Sequence, residues 1–295
     1  MNKEVAVIGG GPAGVATAVQ LKRHGINPLL FEQNEIGGLI KNAWSIENYL
    51  GFPQGINGLM FVELLKKHVE KHGVDVRFEK VEHLDYEEDN ERFLIQTKEN
   101  VYKKNIVVVA TGTKPKKLAV AEKLPETLRK KILYEIYPVL QIKNKQVMVI
   151  GAGDAAFDYA LNLSKNNKVT ILNRGNIVKA LLLLREKVEK NSKITYHENT
   201  TIINIQKGKK RSLLINTDNG KRFEIDYLIA AVGRLPQKDF YSPELINLEK
   251  PLIDKKVLFL AGDVKNDRYR QASIAVGDGI YTAMKIHQKM KGETQ

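Results

Sequence analysis

Gly9, Gly11 and Gly14 stand in the spacing G-x-G-x-x-G, and Gly151, Gly153 and Ala156 repeat it as G-x-G-x-x-A. Each set follows a short apolar run, Val5 to Ile8 and Val147 to Ile150. Such spacing serves to hold a dinucleotide. The first glycine permits a tight turn, the second lets the backbone approach a pyrophosphate, and the third position lets the helix pack closely on its strand. Amides at the helix start then face the phosphate charge. Pro12 and Ala13 lie within the first turn, Asp154 and Ala155 within the second. About 20 residues after the first turn come Glu32 and Gln33, where a carboxylate can accept hydrogen bonds from a ribose. The second unit has Asn173 and Arg174 at that place, with Lys179 further on. An acid there would repel a 2′-phosphate and an arginine accommodates it, so this unit leans towards NADPH over NADH.

These residues must be carried by strand, turn, helix and strand in succession. The continuous apolar runs suit central parallel strands buried on both faces. With 295 residues the chain can form two ordinary domains. It is 43% hydrophobic and 27% charged, without a low-complexity tract. No stretch approaches the roughly 20 apolar residues of a membrane helix. "MNKEVAVIGGG" passes directly into a strand, leaving no room for a signal peptide, and a cytoplasmic location is expected. The sequence contains no cysteine, which excludes disulfides, thiolate nucleophiles, a redox dithiol and cysteine metal sites. Any redox chemistry must therefore be carried by a bound cofactor. A net charge of +13 raises encounter rates with acidic partners. Basic runs such as "KKHVEKHG", "KGKKRS" and "LREKVEKNSK" are dispersed and mostly interleaved with acids, so the charge reads as scattered over solvated faces. Nucleic acid and membrane are not expected partners. His68 and His72 are four apart but lack a third ligand, so no metal site is expected; "KALLLLREK" is apolar enough to be buried in the second domain.

Beyond the first glycine turn, five segments in order resemble the low-molecular-weight thioredoxin reductases: "EIGGLIKNAWSIENYLGFPQGINGLMF", "VVVATGTKP", the second glycine unit, "YLIAAVGRLPQ" and "VLFLAGDVKNDRYRQASIAVGDGIYTAMKI". The resemblance covers nearly the whole chain. It implies an α/β fold of two Rossmann-like dinucleotide-binding domains, with the NAD(P) domain inserted into a split FAD domain. The expected boundaries are 1–113 and 237–295 for FAD and 114–236 for NAD(P). Two crossovers carrying prolines would join them. The resemblance places Gly38 and Leu39 by the FAD phosphates and ribityl chain, and Asn48 at the flavin's polar edge. Val81 would touch adenine through its backbone, and Thr111 and Gly112 would line the pyrophosphate. Gly262 and Asp263 would meet the ribityl chain. Arg270, Gln271 and Ala272 would open the last helix towards the N1–C2=O edge, where helix amides stabilise negative charge. Gly233 would border the NAD(P) site. A homodimer is expected.

The chain departs from that family where its chemistry is concentrated. Aligning the two glycine landmarks puts the family's C-x-x-C pair on Tyr134 and Tyr137, and its following aspartate on Pro138. A phenol forms no disulfide, so thioredoxin reduction by the usual route is excluded. What remains is NAD(P)H oxidation by FAD, with electrons passing from the flavin to an external acceptor. An alternative is a ferredoxin/flavodoxin–NAD(P) reductase or a ferredoxin-fed enzyme with an acidic carrier as partner; another is a non-catalytic redox-sensing flavoprotein. Tyr134 or Tyr137 could stack on the isoalloxazine, or both could pack as amphipathic aromatics at helical i, i+3 spacing. Trp44 is placed at the flavin edge or a dimer interface. Related reductases place an aromatic on the flavin from a C-terminal extension, which a chain ending at "HQKMKGETQ" is expected to lack.

Overall fold

The structure is a computed structural model and describes residues 4–292. Residues 1–3 and 293–295, the outer ends of the expected FAD-domain segments, lie outside the described residues. The chain divides into two units: Met1–Lys41 with Ser45–Lys114 and Leu235–Gln295, and Asn42–Trp44 with Pro115–Arg234. The change-over points lie one and two residues from the places read off the sequence, and residues 42–44, expected with the first unit, group with the second. The two crossovers pair as short strands, Thr113–Pro115 with Arg234–Pro236. Each ends on a proline, which lacks the N–H a longer ladder would need.

In the first unit a parallel sheet runs in the order Leu258–Leu260, Ile106–Val109, Val5–Ile8, Leu29–Phe31, Asp75–Arg77. Every residue of Val5–Ile8 and Ile106–Val109 is buried, as central strands covered on both faces require. Helix Pro12–Arg23 begins on a proline whose missing N–H costs nothing there. Helix Ala272–Lys291 ends on Gly292 in the left-handed conformation. These two helices pack at close range because Gly279 has no side chain: a Cβ there would sit 2.3 Å from the Ala13 carbonyl oxygen. An antiparallel sheet of Val81–Glu87, Arg92–Thr97 and Val101–Lys104 closes the core. Its alternation turns Phe93 and Ile95 inward with Leu84. Each such side chain contributes about 1.5–3 kcal/mol on burial.

The second unit repeats the plan. Its parallel sheet runs Ile194–His197, Lys168–Leu172, Gln146–Ile150, Tyr227–Ala230, Ile132–Leu133, with helix Asp154–Ser164 packed on it. A second core lies beneath the antiparallel strands Ile202–Lys207, Leu213–Thr217 and Arg222–Ile225. Among the described residues no helix is long and apolar enough to cross a membrane.

Two expectations are corrected here. Leu181, Leu182 and Leu183 are not buried but 59%, 67% and 52% exposed. The helix Leu182–Glu189 is short, and consecutive leucines cannot all share one buried face at 3.6 residues per turn. No helix spans Tyr134 to Tyr137: strand Ile132–Leu133 precedes them and a 3₁₀ turn, Tyr137–Val139, takes up Pro138. Charge is unevenly shared between the two units. The second unit carries 23 Lys and Arg against 11 Asp and Glu, the first 24 against 23.

Candidate functional site

The first glycine turn is fixed by contact distances. Gly9 has φ +107°, and a Cβ on it would meet the Ala110 carbonyl oxygen at 2.5 Å. On Gly14 a Cβ would lie 1.8 Å from the Gly9 carbonyl oxygen. Glycine is thus obligatory at both, and the helix sits directly on the turn. Gly11 caps that helix without any side-chain hydrogen bond, leaving first-turn amides to an outside acceptor. Gly38, at φ +57°, faces it: a Cβ on Gly38 would come within 3.1 Å of the Gly11 Cα. Two opposed glycines therefore form a floor without side chains.

Glu32, directly after strand Leu29–Phe31, turns its carboxylate onto this floor. It accepts the Gly10 N–H at 2.8 Å and the Asn34 N–H at 2.9 Å. The Gly37 N–H donates to the Gly10 carbonyl at 2.8 Å, tying the Gly38–Leu39 segment to the glycine turn. Gly262, at φ +76°, brings the 3₁₀ turn Gly262–Val264 and its Asp263 against Ala13; a Cβ on Gly262 would meet the Ala13 Cβ at 2.7 Å. The preceding strand stops at Leu260, and Asp263 sits in that turn. Asn48 donates to the Gln271 side-chain oxygen at 2.7 Å. Gln271 is the N-cap of helix Ala272–Lys291 and gives it no side-chain cap. Next to it, the Arg270 Nε is buried and has no partner among the described residues. An orphaned donor beside an uncapped helix start, on a unit with a glycine floor, fits a bulky polyanionic dinucleotide. Thr111 is turned to its own backbone surroundings, its hydroxyl donating to the Gln237 carbonyl at 2.6 Å, and Gly112 takes φ +64°. Gln33 is exposed beside Glu32, and Val81 is buried at the start of its strand.

The second glycine turn is built more loosely. Gly151 has φ +141° and would place a Cβ 2.6 Å from the Ala231 carbonyl oxygen, so it too must be glycine. Gly153, the N-cap of helix Asp154–Ser164, has nothing within 4 Å of a would-be Cβ, and it lacks a side-chain cap. That open cradle and free helix start fit a second dinucleotide. Asp154 is committed elsewhere: its carboxylate accepts the Leu181 N–H at 2.8 Å. The Ala152 carbonyl accepts from Lys179 N–H at 2.7 Å and Ala180 N–H at 3.0 Å. The loop bearing Arg174 and Lys179 is thereby stitched to the glycine turn. Asn173 is buried and shapes the same loop, donating to the Ile177 carbonyl at 3.1 Å and the Tyr196 hydroxyl at 2.9 Å. Arg174 and Lys179 themselves are exposed. Ala155 and Ala156 continue the helix, and Gly233, at φ +110°, accepts the Lys116 N–H at 2.9 Å.

The segment of the two tyrosines lies in this unit. The Tyr134 hydroxyl accepts the Leu118 N–H at 3.0 Å, and Lys117 stands over its ring. Tyr137 is 39% exposed. Buried Asn42 accepts the N–H groups of Ile136 at 3.1 Å and Tyr137 at 2.9 Å. Trp44 donates its backbone N–H to the Asp158 carboxylate at 3.0 Å, with the Lys165 ammonium 3.6 Å above its ring. Between the tyrosines lies a group that the sequence reading did not find. Glu135 accepts the Tyr159 hydroxyl at 2.8 Å and is ion-paired with Arg234. Burial, reinforced by the Glu135 charge, holds the Tyr159 phenol well above its ordinary value. Glu135 and Arg234 are 99 positions apart, so no local pattern announces the pair. His68 lies in the last turn of helix Gly58–Lys71, and His72 is its C-cap.

Two parallel-sheet units, each with a glycine turn opening onto a free helix start, define a two-dinucleotide protein. Residues 3–279 match the family model described as pyridine nucleotide-disulphide oxidoreductase. The chain is 28% identical over 304 residues to the NADPH-dependent thioredoxin reductase 3 of Arabidopsis thaliana, covering 96% of this chain and 57% of that protein. It thus spans little more than half the length of that relative. It is 25% identical over 307 residues to the 34.2 kDa protein in the rubredoxin operon of Clostridium pasteurianum, covering 98% of each. Among solved structures, Lactococcus lactis thioredoxin reductase superposes with TM-score 0.85 at 24% identity, covering 99% of this chain and 100% of that one. The chain belongs to the pyridine nucleotide-disulphide oxidoreductase family and has the fold of thioredoxin reductase.

Proposed function

We propose that this protein is an FAD-dependent NAD(P)H oxidoreductase whose electrons leave the reduced flavin straight for an external acceptor, with no protein dithiol between. One observation carries the reading: two intact dinucleotide cradles occur in a chain with no cysteine at all. Bound FAD supplies hydride acceptance and onward electron release; the protein supplies seating, orientation and surroundings.

In the first unit Gly11 and Gly38 give a pyrophosphate close access to backbone, and Glu32 is set to receive ribose hydroxyls. Arg270, with the amides after Gln271, offers positive potential to the flavin's electron-rich edge. In the second unit the Gly151–Gly153 turn seats the nicotinamide nucleotide. Exposed Arg174 and Lys179, on a loop tied to Ala152 and Asp154, support NADPH over NADH. The Tyr134 hydroxyl accepts the Leu118 N–H within the second unit, and Tyr137 is 39% exposed on a backbone pinned by Asn42. Its exposure makes Tyr137 the better candidate to shield the flavin. Replacing it with alanine should speed flavin reoxidation by oxygen; unchanged rates would end that role.

Among acceptors, an acidic electron carrier such as ferredoxin or flavodoxin is favoured by the basic excess of the second unit. A cytoplasmic homodimer remains part of the reading. The test is to mix yellow, flavin-loaded protein with NADPH or NADH without oxygen. Rapid bleaching, faster with NADPH, is the expected result. Persistent colour with both nucleotides would refute the reading in favour of a non-catalytic sensor or a ferredoxin-fed enzyme.

A further inference from the structure

Near the middle of helix Ala272–Lys291 stands Asp278, a residue type that suits caps better than helix interiors. A carboxylate complements the helix dipole only in the first turn, so the helix itself gains nothing from it there. The Asp278 side chain is 18% exposed and is turned onto the segment that precedes the helix. Its Oδ2 accepts the Gly262 backbone N–H at 3.1 Å and the Asn266 side-chain amide at 2.6 Å. Its Oδ1 pairs with the Lys265 ammonium at 3.1 Å. An ion pair with Lys265 would need only one of these oxygens, yet both are engaged.

The donors bracket Asp263. The 3₁₀ turn Gly262–Val264 follows Ala261, which has no side chain able to cap it, so its first N–H needs an acceptor from elsewhere. Asp278 supplies that acceptor from 16 positions further along the chain. The Lys265 N–H closes the turn on the Gly262 carbonyl at 3.1 Å, and Asn266 follows directly. Both ends of the span bearing Asp263 are therefore tied to one carboxylate. Gly262 is also pressed against two helices: a Cβ on it would lie 2.7 Å from the Ala13 Cβ and 3.5 Å from the Ala275 Cβ. Gly279, directly after Asp278, admits the Ala13 carbonyl. One stretch of the last helix thus holds both the Asp263 segment and the helix of the first glycine turn.

We propose that Asp278 is a positioning residue for the FAD seat: it sets the backbone of residues 262–266 so that Asp263 is presented to the ribityl chain. This rests on the FAD reading above. Asp278 acts through the turn and not by touching the cofactor. An ionised acceptor shared by a backbone N–H and a side-chain amide holds more firmly than a neutral one. It keeps the turn formed before the flavin arrives, so binding energy is not spent on ordering it. The Lys265 pair is partly exposed and contributes little by itself.

The test takes flavin-loaded protein and the apoprotein prepared from it, and titrates the apoprotein with FAD while following flavin fluorescence. Asp278→Ala should bind FAD on the order of tenfold more weakly than wild type. Asp278→Asn, which keeps an acceptor oxygen for Gly262 and Asn266, should recover most of that affinity. Lys265→Ala should bind FAD nearly as wild type does. A merely structural role is separated by a double-mutant cycle: in an Asp263→Ala background, Asp278→Ala should cost little further affinity, because its effect runs through Asp263. Wild-type affinity in Asp278→Ala would overturn the proposal, as would an equal loss with and without Asp263. So would a loss in Lys265→Ala as large as that in Asp278→Ala. Should Asp278→Ala fail to fold, Asn266→Ala removes one strut only; it should show a smaller loss that vanishes in the Asp263→Ala background, and no loss there would be equally fatal. Wild-type apoprotein that takes up no FAD would refute the FAD reading itself, whereas uptake indifferent to Asp278 would refute only the positioning role.

Discussion

At the third position of the glycine turn the first unit has Gly14 and the second Ala156; at the end of the following strand one has Glu32, the other Asn173. In the first unit the helix rests on the turn itself, with no room for a methyl group, and an acid closes the ribose end. In the second a methyl group fits, the acid is gone, and Arg174 and Lys179 stand exposed on a loop ordered by buried Asn173. The same strand–turn–helix plan therefore yields two differently built cradles. Charge follows the same division, since the cations of the first unit are largely matched by acids and those of the second are not. Small differences in backbone clearance and one side chain separate a tight turn from a looser one.

Substitutions can break this contrast in graded fashion. The largest effect is expected from Gly14→Ala, whose Cβ would overlap the Gly9 carbonyl oxygen. It should abolish flavin retention and cost several kcal/mol in thermal unfolding, whereas Ala156→Gly should cost about 1 kcal/mol. Equal losses would mean that the two turns are equally tight. Next, Glu32→Ala removes the acceptor for two backbone N–H groups and should weaken FAD binding by about 1.5–3 kcal/mol, read by flavin titration of the apoprotein. Arg174→Ala should raise KM for NADPH about tenfold while leaving NADH nearly unaffected. A parallel change in both would remove the 2′-phosphate assignment.

Tyr159 gives a pH dependence confined to the second unit. Its phenol stays protonated in the fold at a pH where the unfolded chain, with an ordinary value of about 10, has ionised. Stability from this group is thus complete below about pH 10 and falls as pH rises from there towards the raised folded value. Tyr159→Phe should lessen the alkaline decline in melting experiments, to which Tyr49, Tyr86, Tyr102 and Tyr241, also raised by burial, contribute the rest; an unaltered slope would exclude Tyr159 as a source. The smallest effect belongs to Leu182→Ser, expected within about 0.5 kcal/mol of wild type because the side chain is 67% exposed. A large loss would show that this face is covered in solution.

Sequence by itself determined the parts whose physics is local. A glycine at φ above +100° or an unbroken run such as Val5–Ile8 leaves few structural alternatives, so both turns, the central strands and the missing dithiol were legible at once. It misled where local pattern was a poor guide to burial: four consecutive leucines suggested a core, and the i, i+3 tyrosines suggested a helix across a proline. What tertiary structure decided was adjacency between distant positions. Glu135 meets Arg234 and Tyr159, Asn48 meets Gln271, and strand Leu258–Leu260 lies beside Ile106–Val109. Strand order is set by how whole faces bury one another, and no short window of residues contains that information.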